Sequence, residues 1–325
     1  MRDSITRRRA LGLGLGLGTA LATPALAQGL STRPVTVIVP FSAGSPPDVV
    51  ARLVAEAFAR RWNQPFVVDN RTGASGNIGA QAAARAAPDG HTLMVTASTL
   101  VMNASLYKQL PYDPVAGFTP VAELATVGFG LLLHPSGGAD AREFVARAKA
   151  RPGALNYGSP GVGTPHHLAM ELFRQKAGIN LAHVPYRAVA GAVTDLLAGQ
   201  VAAMFVPIGS AVELAKDGRI KLVAVASEDR LPAAPNTPTL AEAGVASMEM
   251  RDWYGLFAPA GTPPEIVAKL NTTANEILAA PETAATLRTQ GMTPVGGPPD
   301  RLRADVATDL ARWASVVREA GITPE

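Results

Sequence analysis

Hydroxyl-bearing residues and glycines cluster at two places where an apolar strand gives way to a helix. The first is Phe41-Ser42-Ala43-Gly44-Ser45-Pro46-Pro47, after the apolar run Val35, Val37, Ile38, Val39 and before a helix expected to open at Asp48. The second is Gly158-Ser159-Pro160-Gly161-Val162-Gly163, after Leu155-Asn156-Tyr157 and before a helix opening at Thr164-Pro165. Such loops present backbone N–H groups at the positive end of a helix dipole, which suits an anion. Two of them, far apart in sequence, read as two jaws closing on one small acidic ligand. The candidate contacts are Phe41, Ser42, Ala43, Gly44 and Ser45 in one jaw, and Ser159, Gly161, Gly163 and Thr164 in the other. Each loop has a plain alternative, an ordinary strand-to-helix turn. Thr164 before Pro165 is also a good N-cap in its own right. Asp48 is expected to cap its helix, since a carboxylate facing an anion would repel it.

Further candidates lie at other strand ends. Thr96 and Ser98 close the strand Thr92 to Thr96 on the side of the first loop, and Asn77 follows Gly76 at a helix start. His166 and His167 are adjacent, so they point apart on a helix. Neither has a second histidine four residues away on the same helix face, which argues against a metal. His167 could reach a carboxylate, or could only satisfy a local hydrogen bond. Tyr186 and Arg187 follow a strand, and Arg187 has the fork that carboxylates favour. Trp253 and Tyr254 either wall a cleft or pack behind it.

Several chemistries are excluded. The chain has no cysteine, so thiol catalysis, disulfides and cysteine zinc sites fall together. Ser75 and Ser159 lack the Gly-x-Ser-x-Gly spacing of a hydrolase elbow, and neither His-Glu-x-x-His nor a phosphate-binding Gly-x-x-x-x-Gly-Lys occurs. A secreted hydrolase is therefore the weaker alternative. The N-terminus reads Arg7-Arg8-Arg9, a Gly/Leu run from Gly12 to Ala20, then Ala25-Leu26-Ala27. That is the pattern of a cleavable twin-arginine export signal over residues 1–27, with a permanent anchor as the alternative. This segment holds four arginines against one aspartate. It accounts for all of the formal charge of +3, so the remainder is neutral and nucleic acid is not an expected partner.

The 325 residues favour two domains, and apolar strands alternate with amphipathic helices, as in parallel α/β sheets. In the first helix Val50, Leu53, Val54, Ala57, Phe58 and Trp62 share a face. A new apolar strand, Phe129 to Leu133, begins a second set of units, and Trp253 to Pro259 reads as a return crossing. Crossovers near 125 and 252 would make a hinge, dividing the chain into 28–124 plus 252–325 and 125–251, with a cleft between.

Long motifs then become recognisable in order: Arg33-Pro34-Val35-Thr36-Val37-Ile38-Val39-Pro40-Phe41, Asp69-Asn70-Arg71-Thr72-Gly73-Ala74-Ser75-Gly76-Asn77, Pro88-Asp89-Gly90-His91-Thr92, Leu110-Pro111-Tyr112-Asp113-Pro114, Asn156 to Thr164, His183-Val184-Pro185-Tyr186 and Phe257-Ala258-Pro259-Ala260-Gly261. Together they resemble the Bug/TctC family, the extracytoplasmic solute receptors of tripartite tricarboxylate transporters. The resemblance implies an α/β, two-domain periplasmic binding protein fold, type II-like, with a ligand cleft and two hinge crossovers. It implies a monomeric receptor without cofactor or chemistry of its own, a small carboxylate ligand, and delivery to membrane permease subunits or presentation to a sensor protein. Two departures bear on the ligand. Where the family tends to read Gly-Gly in the first loop, this chain has Gly44-Ser45-Pro46-Pro47, with fewer amide donors. Where many relatives carry Phe-Asp-Asn, it has Phe205-Val206-Pro207. Both point towards an aromatic or hydrophobic acid over citrate.

Overall fold

A computed structural model describes residues 33–324, so the export segment lies outside the described residues. Up to the first crossing the chain forms β1 (Val35–Val39), α1 (Pro46–Trp62), β2 (Phe66–Asn70), α2 (Asn77–Ala84), β3 (Thr92–Ala97) and α3 (Thr99–Leu106). β4 (Phe118–Leu133) then crosses into a second half made of α4 (Ala141–Ala150), β5 (Asn156–Ser159), α5 (Pro165–Ala177), β6 (Ala182–Pro185), α6 (Val189–Leu197), β7 (Ala203–Pro207), α7 (Ile208–Ala215) and β8 (Lys221–Val225). β9 (Arg251–Pro259) returns, followed by α8 (Pro264–Ala279), α9 (Pro281–Thr289), β10 (Thr293–Pro294) and α10 (Pro299–Glu319).

The strands run β2-β1-β3-β9-β4-β7-β5-β6, with β8 and β10 also pairing with β4. The outer strands are parallel, as the alternating pattern requires, whereas β9 is antiparallel to both β3 and β4. The expected break before Phe129 is absent. β4 is one strand of 16 residues, almost wholly buried, and it serves both halves of the sheet. Pro120, Glu123 and two glycines blur its signal, because these residues are uncommon in a strand interior.

α1 shows why the sequence takes this form. Val50, Val54, Ala57 and Phe58 are buried on the sheet, Arg60 and Arg61 occupy the last turn, and Asn63 ends the helix in the left-handed region. Behind the crossing strands Trp253 and Tyr254 are buried. The Trp253 indole donates to Asp309 of α10 at 2.9 Å, so this pair packs the core and does not face a cleft.

β4 and β9 are locked by charge as well as by their ladder. The Glu123 side chain is fully buried. It accepts from Arg251 at 2.7 Å and from Arg301 of α10 at 2.9 Å, while Arg251 also donates to Asp305 at 2.6 Å. Removing one member of a buried pair strands the other charges. Glu123→Gln is expected to cost about 2–4 kcal/mol of unfolding free energy, somewhat less than a fully buried pair because Arg301 is half-exposed. Urea titration of the two proteins measures this, and a loss below about 0.5 kcal/mol would show that the cluster is not structural.

Candidate functional site

The C-terminal ends of β1, β2, β3 and β5 all open towards one cavity of about 220 Å3. β1 delivers Phe41 to it, the turn after β2 delivers Ser75, and Thr99, Asn103 and Leu106 of α3 form one wall, continued by Tyr107. Across from them stand Val162, Gly163, Thr164 and Pro165 from the loop after β5. The two sides approach closely: a Cβ on Gly163 would lie 2.8 Å from a Leu106 methyl, and Gly163 has a φ of 76°. Ile322 and Thr323, beyond α10, complete the lining. None of these lining residues carries a charge. A larger, more open groove of about 610 Å3 lies between α7, β8 and residues 233–237, away from the two strand-to-helix loops.

The Ser75 turn is held in an unusual conformation. Gly73, Ala74, Ser75 and Gly76 all have positive φ, at 124°, 47°, 54° and 94°. For Ala and Ser this costs on the order of 1 kcal/mol each and persists only where surrounding groups enforce it. The enforcing groups are present. The Asn103 amide donates to the Ser75 carbonyl at 3.0 Å and to Asn77 Oδ1 at 2.8 Å, the Tyr112 hydroxyl donates to the same Asn77 oxygen at 2.8 Å, and the Tyr107 hydroxyl donates to Ser75 Oγ at 3.0 Å. With its lone pair so used, the Ser75 hydroxyl keeps its own proton to donate.

The first loop is already partly occupied by the protein itself. Ser45 is the N-cap residue of α1, so Asp48 is its third helical residue and not the cap. From there the carboxylate reaches back to accept the Gly44 N–H at 2.8 Å, Arg52 Nε at 2.9 Å and the Asn70 amide at 2.8 Å. Burial pushes this carboxyl up, but the hydrogen bonds from Arg52, Gly44 and Asn70 outweigh it and hold the group below the usual range. The Ser45 N–H donates to the Ser42 carbonyl. Phe41 lines the cavity, whereas Ser42, Ala43 and Gly44 are exposed at the loop tip.

In the second loop the groups also support one another. Thr164 caps α5 by accepting the His167 N–H, and its hydroxyl donates to the Gly161 carbonyl at 2.8 Å. The Gly163 N–H donates to His167 Nδ1 at 3.1 Å, and Ser159 Oγ accepts the Gly161 N–H and meets His183 Nε2 at 2.7 Å. The His167 and His183 rings stack at 4.1 Å, with Tyr157 against His183 at 4.8 Å. Behind them Glu171 takes the Tyr157 hydroxyl, and its two oxygens share Arg174 Nη1 at 2.7 and 2.8 Å. Burial lowers His166 to about 4 and His167 to about 3, the latter helped by His183 and Arg174. His167 is thus a neutral acceptor that shapes the loop, and the structure does not place it in the cavity lining.

Of the residues singled out in the sequence, Phe41, Gly163 and Thr164 line the cavity. Asn77 and Ser159 lie one layer behind it and hold its walls. The others are directed elsewhere. Thr96 is buried where β3 pairs with β9. Ser98 is fully buried, and its hydroxyl and amide donate to Asp252 at 2.6 and 3.1 Å. The Tyr186 hydroxyl donates to Asp195 at 2.6 Å. Val206 is buried in β7, so the apolar lining comes from Phe41, Leu106, Tyr107, Val162 and Ile322 instead. Ser75, Asn103, Tyr107 and Ile322 gave no recognised signal, although Gly73-Ala74-Ser75-Gly76 marks an unusual turn.

With this geometry in view, residues 50–322 match the TctC model, described as tripartite tricarboxylate transporter family receptor. The chain belongs to this family. Its fold is that of the periplasmic solute-binding proteins, and as a receptor it is not an enzyme. It is 36% identical to protein BugT of Bordetella pertussis over 93% of each chain. Among solved structures, R. palustris Rpa4515 with adipate superposes with a TM-score of 0.79 at 36% identity, covering 91% of this chain and 100% of that one. MatC from Rhodopseudomonas palustris with bound malate gives 0.73 at 34%, covering 88% and 99%.

The buried histidines set a pH dependence. Unfolded imidazoles bind protons near pH 6.5, whereas folded His166 and His167 resist until about 4 and about 3. Between those values unfolded imidazoles hold more protons than folded ones, so the histidines' contribution to stability falls as pH drops from about 6.5 towards 4. His167→Asn, whose Oδ1 can still accept the Gly163 N–H, is expected to flatten this slope in thermal melts. Asp252 and Glu123, which burial raises to about 6 and about 7 and which act in the opposite sense, are common to both proteins. An unchanged slope would show that His167 is not a buried neutral base.

Proposed function

We propose that this protein is a periplasmic receptor that captures a small carboxylate with an apolar body and passes it to the permease of a tripartite tricarboxylate transporter. The observation that carries this reading is the uncharged cavity at the strand C-termini, lined by the hydroxyl of Ser75 as a donor and by Thr164, whose own hydroxyl holds the second loop in shape. Neutral donors hold one carboxylate by hydrogen bonds. The lining offers no cation to a second or third carboxylate, and its aromatic and aliphatic members suit a hydrophobic remainder. The volume of 220 Å3 lies below the roughly 300–1,000 Å3 of pockets for drug-sized ligands, in keeping with a metabolite. The adipate of Rpa4515 and the malate of MatC support a carboxylate ligand, and the preference for a single carboxylate rests on the uncharged lining of this chain. Residues 1–27 would direct export, and segments 28–124 plus 252–325 and 125–251 would act as two domains hinged at β4 and β9.

A thermal-shift screen of mono-, di- and tricarboxylates, acidic amino acids and aromatic acids tests the reading. A ligand at 100 times its Kd should add about 2.7 kcal/mol, and hydrophobic monocarboxylates should rank first. Stabilisation by a neutral solute and by no carboxylate would overturn it. Ser75→Ala should weaken the best acid by ~3–10-fold, the worth of one hydrogen bond, with the unliganded melting temperature lowered only by the loss of the Tyr107 contact.

A further inference from the structure

The final helix ends in a way that hands the chain to the cavity. At the end of α10 the Gly321 N–H donates to the Arg318 carbonyl at 3.2 Å and the Ile322 N–H to the Val317 carbonyl at 3.1 Å. Gly321 has a φ of 66°. This is the Schellman pattern, in which a left-handed residue closes a helix and reverses the chain. The reversal brings Ile322, partly buried against the core, into the cavity lining beside Thr323.

The placement is braced from both sides. α10 packs on α3, the helix that supplies Asn103 and Leu106 to the opposite wall. It also packs on α5, where the Gln175 amide donates to the Val316 carbonyl at 3.2 Å. Ile322 is therefore tied by its backbone N–H to the end of a helix that touches both halves of the protein, and it belongs to neither jaw.

We propose that Ile322 is a specificity-determining residue. Its side chain is the aliphatic wall against which the non-carboxylate part of the ligand packs, and it denies a partner to a second carboxylate. This rests on the carboxylate reading above. A branched aliphatic group stabilises an apolar ligand end by removing both from water. The same surface penalises a charged end, which would lose its hydration and find no counter-charge.

Two pairs of acids, each differing by one carboxyl group, isolate this effect: hexanoate with adipate, and benzoate with terephthalate. Dissociation constants are measured by calorimetry for the wild type, Ile322→Ala and Ile322→Lys. Ile322→Ala should weaken the monoacids by ~3–10-fold for the lost apolar contact. Ile322→Lys should move the diacid-to-monoacid preference at least ~10-fold towards the diacid, the worth of a charge-assisted hydrogen bond. Circular dichroism checks folding, and if the lysine variant does not fold the alanine variant decides alone. Binding by the wild type with both ratios unchanged in the variants would overturn the role of Ile322 and leave the carboxylate reading standing. Binding of none of the four acids by the wild type would sink that reading and this inference with it.

Discussion

Among the described residues β4 and β9 form the strand pair through which each half of the protein is positioned relative to the other. Their ladder runs from Phe118 opposite Pro259 to Gly128 opposite Arg251, with register shifts on either side of Glu123. Beyond Gly128 the same β4 pairs with β7 and β8, so one strand is shared by both halves of the sheet. Bulges add twist and re-aim side chains, and here they bracket a fully buried carboxylate. That charge is tolerable in the interior only because Arg251 and Arg301 meet it. One of these comes from β9 and the other from α10, so a single electrostatic requirement ties three distant segments of chain together.

α10 carries this constraint to the cavity. At 21 residues it is about 31 Å long. It is fixed near its start by Arg301 and Asp305, midway by Asp309 against Trp253, and near its end by Gln175. The residues just beyond its end, Ile322 and Thr323, complete the lining of the site. The cavity is therefore built by strand ends on the two sides of the crossing and by a strut anchored in the crossing itself.

Much of this was legible from local pattern. The two strand–loop–helix units and the return crossing appear where turn chemistry and periodicity put them. Polar residues at strand ends were harder, because what they do depends on partners far away in sequence. Ser98 looks available until Asp252, 154 residues on, takes both its hydroxyl and its amide. Tyr186 is claimed by Asp195, and His167 by the glycine loop that precedes it. Ile322 was invisible for the converse reason: nothing local distinguishes an aliphatic residue near the C-terminus, and only the packing of α10 makes it part of a binding site.

The remodelled first loop acquires a physical meaning from Asp48. A helix N-terminus with free amides attracts an anion, but here the protein's own carboxylate takes the Gly44 amide, and Pro46 and Pro47 supply none. The second loop commits its Gly163 amide to His167. With dipoles on both sides partly spent internally and no charged side chain in the lining, binding has to come from a few donors already held in place. The turn at Ser75 supplies that condition. Its four left-handed residues are fixed by Asn103, Asn77 and Tyr107 before any ligand arrives, so little ordering cost remains at the moment of binding. A neutral, preorganised site of this kind discriminates by shape and by the penalty on unpaired charge more than by long-range attraction, which is why its aliphatic and aromatic walls matter as much as its hydroxyl groups.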